Sequence, residues 1–141
     1  MAVEPRNERW LQRLRDFEKF LALFERTEAT RRERGLNEAE EAGLVQFFEM
    51  TVEAGWKALG AFMDAEGVRL SNSSPLPVIR EAAKLGLIDN ADIWSVAVER
   101  RNRMSHTYDP DAFRVLIEDA GERFLPALRT LHQKLTAAAA S

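Results

Sequence analysis

The sequence predicts an all-α protein, an antiparallel up-down four-helix bundle with an additional short helix. Three observations carry that prediction. Every long segment places apolar residues at steps of three and four, the period of a helix with one buried face. No segment alternates apolar and polar residues over a strand's length, and no internal repeat or low-complexity stretch interrupts the pattern. The strongest turn signals fall between the periodic segments. The chain has 141 residues, which fits one domain at the usual ~100–200 residues per domain. A chain of this size buries ~70% of its unfolded surface without a disulfide or a metal.

The first helix is predicted from Asn7 to about Arg34, with Trp10, Leu14, Phe17, Leu21 and Phe24 on its buried stripe. Gly35 stops it, and Asn37 is a good N-cap for the second helix, about Glu38 to Ala65. Leu44, Phe47, Phe48, Thr51, Val52, Trp56, Leu59 and Met63 form the broad inner face of that helix, and Gly67 ends it. "VRLSNSSPLP" is the clearest loop. Ser74 before Pro75 reads as an N-cap followed by proline at the first helical position, opening a short helix that stops at Gly86. A fourth helix opens at Asn90 or Ala91 with Ile93, Trp94, Ala97 and Val98 inward. Pro110 disfavours helix at Asp109, so the fourth helix should end near Thr107 or Tyr108. The last helix runs from about Pro110 to Leu135 on Phe113, Leu116, Ile117, Phe124, Leu128, Leu131 and Leu135, kinked by Pro126. The domain is expected to span 1–135, and 136–141 to be a disordered tail.

Composition excludes several function classes. There is no cysteine, so disulfides, thiolate zinc sites and cysteine nucleophiles are ruled out. The basic-then-apolar start of a signal peptide is missing, as is any stretch long and apolar enough to span a membrane, so a cytoplasmic protein is expected. The net charge of −3 speaks against sequence-blind nucleic-acid binding by whole-protein charge, so any phosphate contact must be local. Arginine outnumbers lysine sixteen to four. That fits bidentate phosphate contacts, and it also fits the codon bias of a GC-rich or heat-loving host.

One decapeptide concentrates chemistry. "RRNRMSHTYD", Arg100 to Asp109, holds one of two histidines and the only tyrosine. On a helix Asn102 and His106 share a face, and Arg101 and Ser105 share the adjoining one. An imidazole moves protons near neutral pH, while a guanidinium holds a phosphate and steadies its developing charge. Such a pair suffices for RNA cleavage without metal. The same residues also make an ordinary capping and solvating cluster. Elsewhere, Glu38, Glu40 and Glu41 read as a solvated helix start and His132 as exposed or capping. The three tryptophans read as core, with Trp56 and Trp94 as alternatives for a partner surface.

Arg101, Asn102, His106 and Tyr108, spaced Arg-Asn-x3-His-x-Tyr, resemble the signature of the HEPN superfamily of helical RNA- and nucleotide-binding domains. With the flanks "GWKALGAFMDAEGV", "SPLPVIREAAKLGLI" and "IWSVAVERRNRMSHTYD", the chain is similar to the branch of nucleotidyltransferase substrate-binding proteins that includes HepT-like toxins. The resemblance covers about residues 50–135. Only Arg101, not Arg100, has the right spacing to His106. The resemblance implies a homodimer whose two motif helices face a shared cleft, and a minimal nucleotidyltransferase partner encoded nearby. It implies a metal-independent ribonuclease toxin in which Arg101 and His106 are catalytic. Asn102, Arg103 and Ser105 support them or bind nucleotide, and adenylylation of Tyr108 silences the activity. It equally admits a non-catalytic subunit that presents a nucleotide or other substrate to the transferase. Neither reading requires a metal or a cofactor; RNA is the ligand expected of the first, and a nucleotide or other substrate of the second.

Overall fold

The computed structural model describes residues 5–70, 72–104 and 109–141. Its helices are α1 (Pro5–Arg34), α2 (Glu38–Ala65), α3 (Pro75–Lys84), α4 (Ala91–Met104), α5 (Pro110–Asp119) and α6 (Leu125–Ala140). A π-helical turn, Ala120–Phe124, joins α5 to α6. The described residues form an all-α bundle, as expected. α1 and α2 pack side by side as a hairpin, and α2 also touches α3, α4, α5 and α6.

The hairpin turn is specified by local chemistry. Gly35 adopts φ +81°, a left-handed conformation that a Cβ would strain. Asn37 then caps α2: its side chain accepts from the Glu40 N–H at 2.9 Å, and its own N–H donates to Glu40 at 3.0 Å. This is the reciprocal capping box, which satisfies two helix-end donors at once. Arg34 closes the turn with bonds of 3.1 and 2.6 Å to the same carboxylate.

The core is aromatic along its axis. Phe24 of α1 meets Phe48 of α2 with ring centroids 6.2 Å apart, and Phe48 meets Phe124 of the π turn at 5.4 Å. Trp94 of α4 is 1% exposed and lies over Gly55. A Cβ built there would come within 3.0 Å of the Trp94 ring and 3.2 Å of Phe17. Gly55 therefore lets α1, α2 and α4 approach closely around two large rings.

Four details differ from the sequence reading. Ser74 occupies the N-cap position of α3, but its side chain makes no cap bond and donates instead to Asn72 at 2.6 Å. The expected kink at Pro126 is a π turn immediately before it. Proline cannot donate to the carbonyl four residues back, and widening the preceding turn relieves the ring's clash with that carbonyl. Residues 136–140, expected to be a disordered tail, continue α6, as a run of alanine, the best helix former, favours. Phe47, Trp56, Ile93 and Phe113, placed on buried stripes, are only half-buried. The predicted end of the fourth helix at Thr107 or Tyr108 lies outside the described residues.

Two outcomes follow from these contacts. Gly55→Ala adds helix propensity of at most about 1 kcal/mol, while overpacking against two buried rings costs about 1–3 kcal/mol. Chemical denaturation should show a net loss of stability, and a gain would contradict the packing described. The Glu40 carboxyl is lowered to about 2, chiefly by the Arg34 hydrogen bond and then by the Asn37 N–H. A depressed carboxyl stabilises fully above the ordinary carboxylate range, and that contribution is lost as pH falls through the folded value. Carboxyl-detected NMR should give Glu40 a midpoint near 2, rising toward the ordinary range in Arg34→Ala. An ordinary midpoint in the wild type would contradict the turn geometry.

Candidate functional site

α4 carries the first half of the motif. Its buried residues, Trp94, Ala97, Val98 and Met104, fix which side of the helix faces the bundle. Arg101 lies seven residues after Trp94, two helical turns on the same side, so its stem runs inward rather than into open water. Its side chain is 28% exposed. Arg101 Nη2 donates to Glu53 Oε2 of α2 at 2.7 Å, and Nη1 donates to Asn102 Oδ1 at 3.0 Å.

Glu53 has a second partner. Lys57, one turn further along α2, donates to Glu53 Oε1 at 2.7 Å. Each carboxylate oxygen thus holds one cation. The Glu53 carboxyl sits below its ordinary value, chiefly through the Lys57 hydrogen bond and further through that from Arg101, while partial burial pulls the other way. Glu53 therefore stays ionised and fixes the Arg101 fork from one side, as Asn102 does from the other. A guanidinium fixed in plane and direction is suited to meeting a phosphate without reorganising.

The neighbouring arginines have other work. Arg100 donates to Asp119 of α5 at 2.8 Å, both side chains being about three-quarters buried, and so ties α4 to α5. Arg103 pairs with Glu99 one turn back at 2.6 Å on an open face. Asn102 is exposed. Ser105, His106 and Tyr108 lie outside the described residues, so the distances from Arg101 to His106 and to Tyr108 are not defined. Beyond that gap Asp109 caps α5, accepting from the Asp111 N–H at 3.0 Å.

Sequence reasoning missed Glu53. Its signal was available: on α2 from Gly43 to Met63 the charged residues are Glu49, Glu53 and Lys57 alone, and a charge among so many apolar positions needs a partner. His132 is also more engaged than expected. It is half-buried, with its ring edge-on to Phe17 at 5.9 Å between centroids and Nε2 3.5 Å from Glu18, so it links α6 to α1. Among the described residues no group of three or more His, Asp or Glu side chains is placed to hold a metal ion, and no helix is long and apolar enough to cross a membrane.

Comparison with known proteins shows what the chain is similar to. The family model described as "Nucleotidyltransferase substrate binding protein like" matches residues 12–137. A crystal structure of a Thermus thermophilus protein, ttk003001694, superposes with a TM-score of 0.69 at 28% identity, covering 87% of this chain and 98% of that one. No curated protein matches.

Proposed function

The chain belongs to the nucleotidyltransferase substrate-binding protein-like family, and from that premise we propose that it is the helical partner of a minimal nucleotidyltransferase and acts, as a homodimer, as a metal-independent endoribonuclease. The observation that carries this reading is the two-sided hold on Arg101 by Glu53 and Asn102. It presents a directed guanidinium at the motif end of α4, five residues before His106.

In this reading His106 takes the proton of an RNA 2′-hydroxyl. The 2′-oxygen attacks the adjacent phosphorus, and the bond to the 5′-oxygen breaks. The products are a 2′,3′-cyclic phosphate and a 5′-hydroxyl that regains a proton. Arg101 holds the non-bridging oxygens as their charge grows, which requires no metal. Arg100 is spent on Asp119, which supports giving the phosphate role to Arg101. Asn102 orients Arg101. Arg103 and Ser105 serve as supporting residues. Adenylylation of Tyr108 by the transferase places a phosphate beside this cluster, where arginines hold it and RNA is blocked.

A second reading has its own observation. The Glu53 carboxylate offsets the Arg101 charge within one chain, which suits a subunit that binds a nucleotide or other substrate without chemistry, and the family description names substrate binding. Cleavage separates the two. The purified chain should cut single-stranded RNA in EDTA, and Arg101→Ala and His106→Ala should each lower the rate by ~10²–10⁴ with little change in melting midpoint. Magnesium-dependent cutting, or full activity in both variants, would leave only the binding reading. The modification is tested separately. The transferase with ATP should add adenylyl mass to the wild type but not to Tyr108→Phe, and equal addition to both would refute the assignment.

A further inference from the structure

A large cavity of the described structure lies away from the motif. It is an open trough of about 780 Å³ between the first turns of α1, the second half of α2 and the loop after it. Arg6, Arg9 and Arg13 of α1 line one wall, Trp56 and Lys57 of α2 the other, and Arg69 closes the loop side. The three α1 arginines are spaced three and four apart, so they form one row. At 1.5 Å of rise per residue the row is about 10 Å long.

These arginines differ from most of the others, although Arg15, Arg26 and Arg80 likewise form no ion pair among the described residues. Arg31, Arg34, Arg100, Arg101 and Arg129 each hold a carboxylate. Among the described residues Arg6, Arg9, Arg13 and Arg69 form no ion pair. Asp64 also lines the trough, yet it pairs with none of them. A chain of net charge −3 thus gathers round one cavity four guanidiniums that have no ion pair among the described residues. Mutual repulsion makes that arrangement costly unless an anion answers it. The cavity volume falls in the range of ligand pockets, ~300–1,000 Å³.

Shape and composition narrow the anion. A free nucleotide gathers its phosphates at one point, whereas this charge is drawn out as a row along an open trough. An aromatic ring interrupts the basic wall: Trp56 is half-buried, with Lys57 Nζ 6.0 Å from its ring centroid. Guanidiniums tracking a backbone beside a ring that can stack a base are the recurring equipment for single strands. A smaller hollow of about 230 Å³ shares Arg13 and Lys57 with the trough and reaches Glu53, which holds Arg101. The trough therefore adjoins the motif.

We propose that this trough binds single-stranded nucleic acid through its backbone phosphates, with Trp56 stacking a base, as a site separate from the motif. The recognition is of phosphodiester charge, so RNA and DNA strands should both bind. DNA lacks the 2′-hydroxyl, so its binding is read without any cleavage. The site can stand if the ribonuclease reading falls, and the reverse also holds.

The test is fluorescence anisotropy of the full chain with labelled oligothymidylate and oligouridylate of about twelve nucleotides, the latter read with Arg101→Ala to prevent cutting. Both strands should bind, with log Kd rising with log salt at about 0.7 per phosphate contacted. Arg9→Glu with Arg69→Glu should weaken both at least ~10-fold and flatten the salt slope, while circular dichroism and melting stay as in the wild type. Arg69→Lys should retain most of the affinity, because it keeps the charge. Trp56→Leu should weaken binding several-fold without changing the salt slope, separating stacking from charge. Failure of the wild type to bind either strand, or unchanged affinity in the Arg9/Arg69 double variant, overturns the proposal. Displacement of the strand by an equal concentration of ATP overturns it in favour of a mononucleotide site.

Discussion

Everything in this bundle is arranged around α2. The other α-helices all pack on it, and a helix enclosed on many sides can admit them only where its own side chains are small. Ala54, Gly55, Ala58 and Ala61 supply that room, while Phe48, Val52 and Leu59 fill the spaces between neighbours. Such a helix has few positions for charge. Glu49, Glu53 and Lys57 are the exceptions between Gly43 and Met63, and Glu53 and Lys57 are each about one-third exposed. A carboxylate that is partly removed from water is stabilised by nearby cations, and the structure provides two, one from α2 itself and one from α4. The packing of α2 thereby determines where the motif arginine points.

That link bears on two sets of arginines. One is structural: Arg100 to Asp119, Arg34 to Glu40, and Arg31 and Arg32 to Glu28, which is 2% exposed. These pairs stitch helices and turns, and burying Glu28 without its arginines would be strongly unfavourable. Another set, Arg6, Arg9, Arg13 and Arg69, forms no ion pair among the described residues and gathers at the trough. Arg101 stands between them. It is held by Glu53 as a structural arginine would be, yet it lies in the decapeptide that contains the histidine and the tyrosine. Charge that is fixed but incompletely exposed suits a group that must meet a phosphate in one orientation.

What could be read from the sequence follows how local its determinants are. α2 begins at Glu38 and ends at Ala65 because the cap Asn37 and the positive-φ Gly67 are signals carried by single residues. α3 was legible for the same reason, through Pro75. The π turn was not, since Pro126 announces a disturbance but not how the preceding turn absorbs it. Trp56 follows the buried stripe of α2 yet ends half-open, because what covers it is decided by α1, whose facing side there is arginine rather than hydrocarbon. The role of Arg9 or Arg13 was equally hidden. A row of arginines on a helix reads as a solvated face until the partners of every other arginine are known. At the motif, spacing selected Arg101 over Arg100, but its clamp by Glu53 joins residues 48 positions apart, which no local pattern reveals.

The account's central claim is that Glu53 and Asn102 fix Arg101 to receive a phosphate. The most direct measurement is a crystal structure of the chain with an oligoribonucleotide whose 2′-hydroxyls are methylated, so that it binds but cannot be cut. The account predicts a backbone phosphate within hydrogen-bond distance of the Arg101 guanidinium while Glu53 still accepts from Nη2. A strand bound with no phosphate at Arg101, or one that reaches Arg101 only after the Glu53 bond has broken, would contradict it.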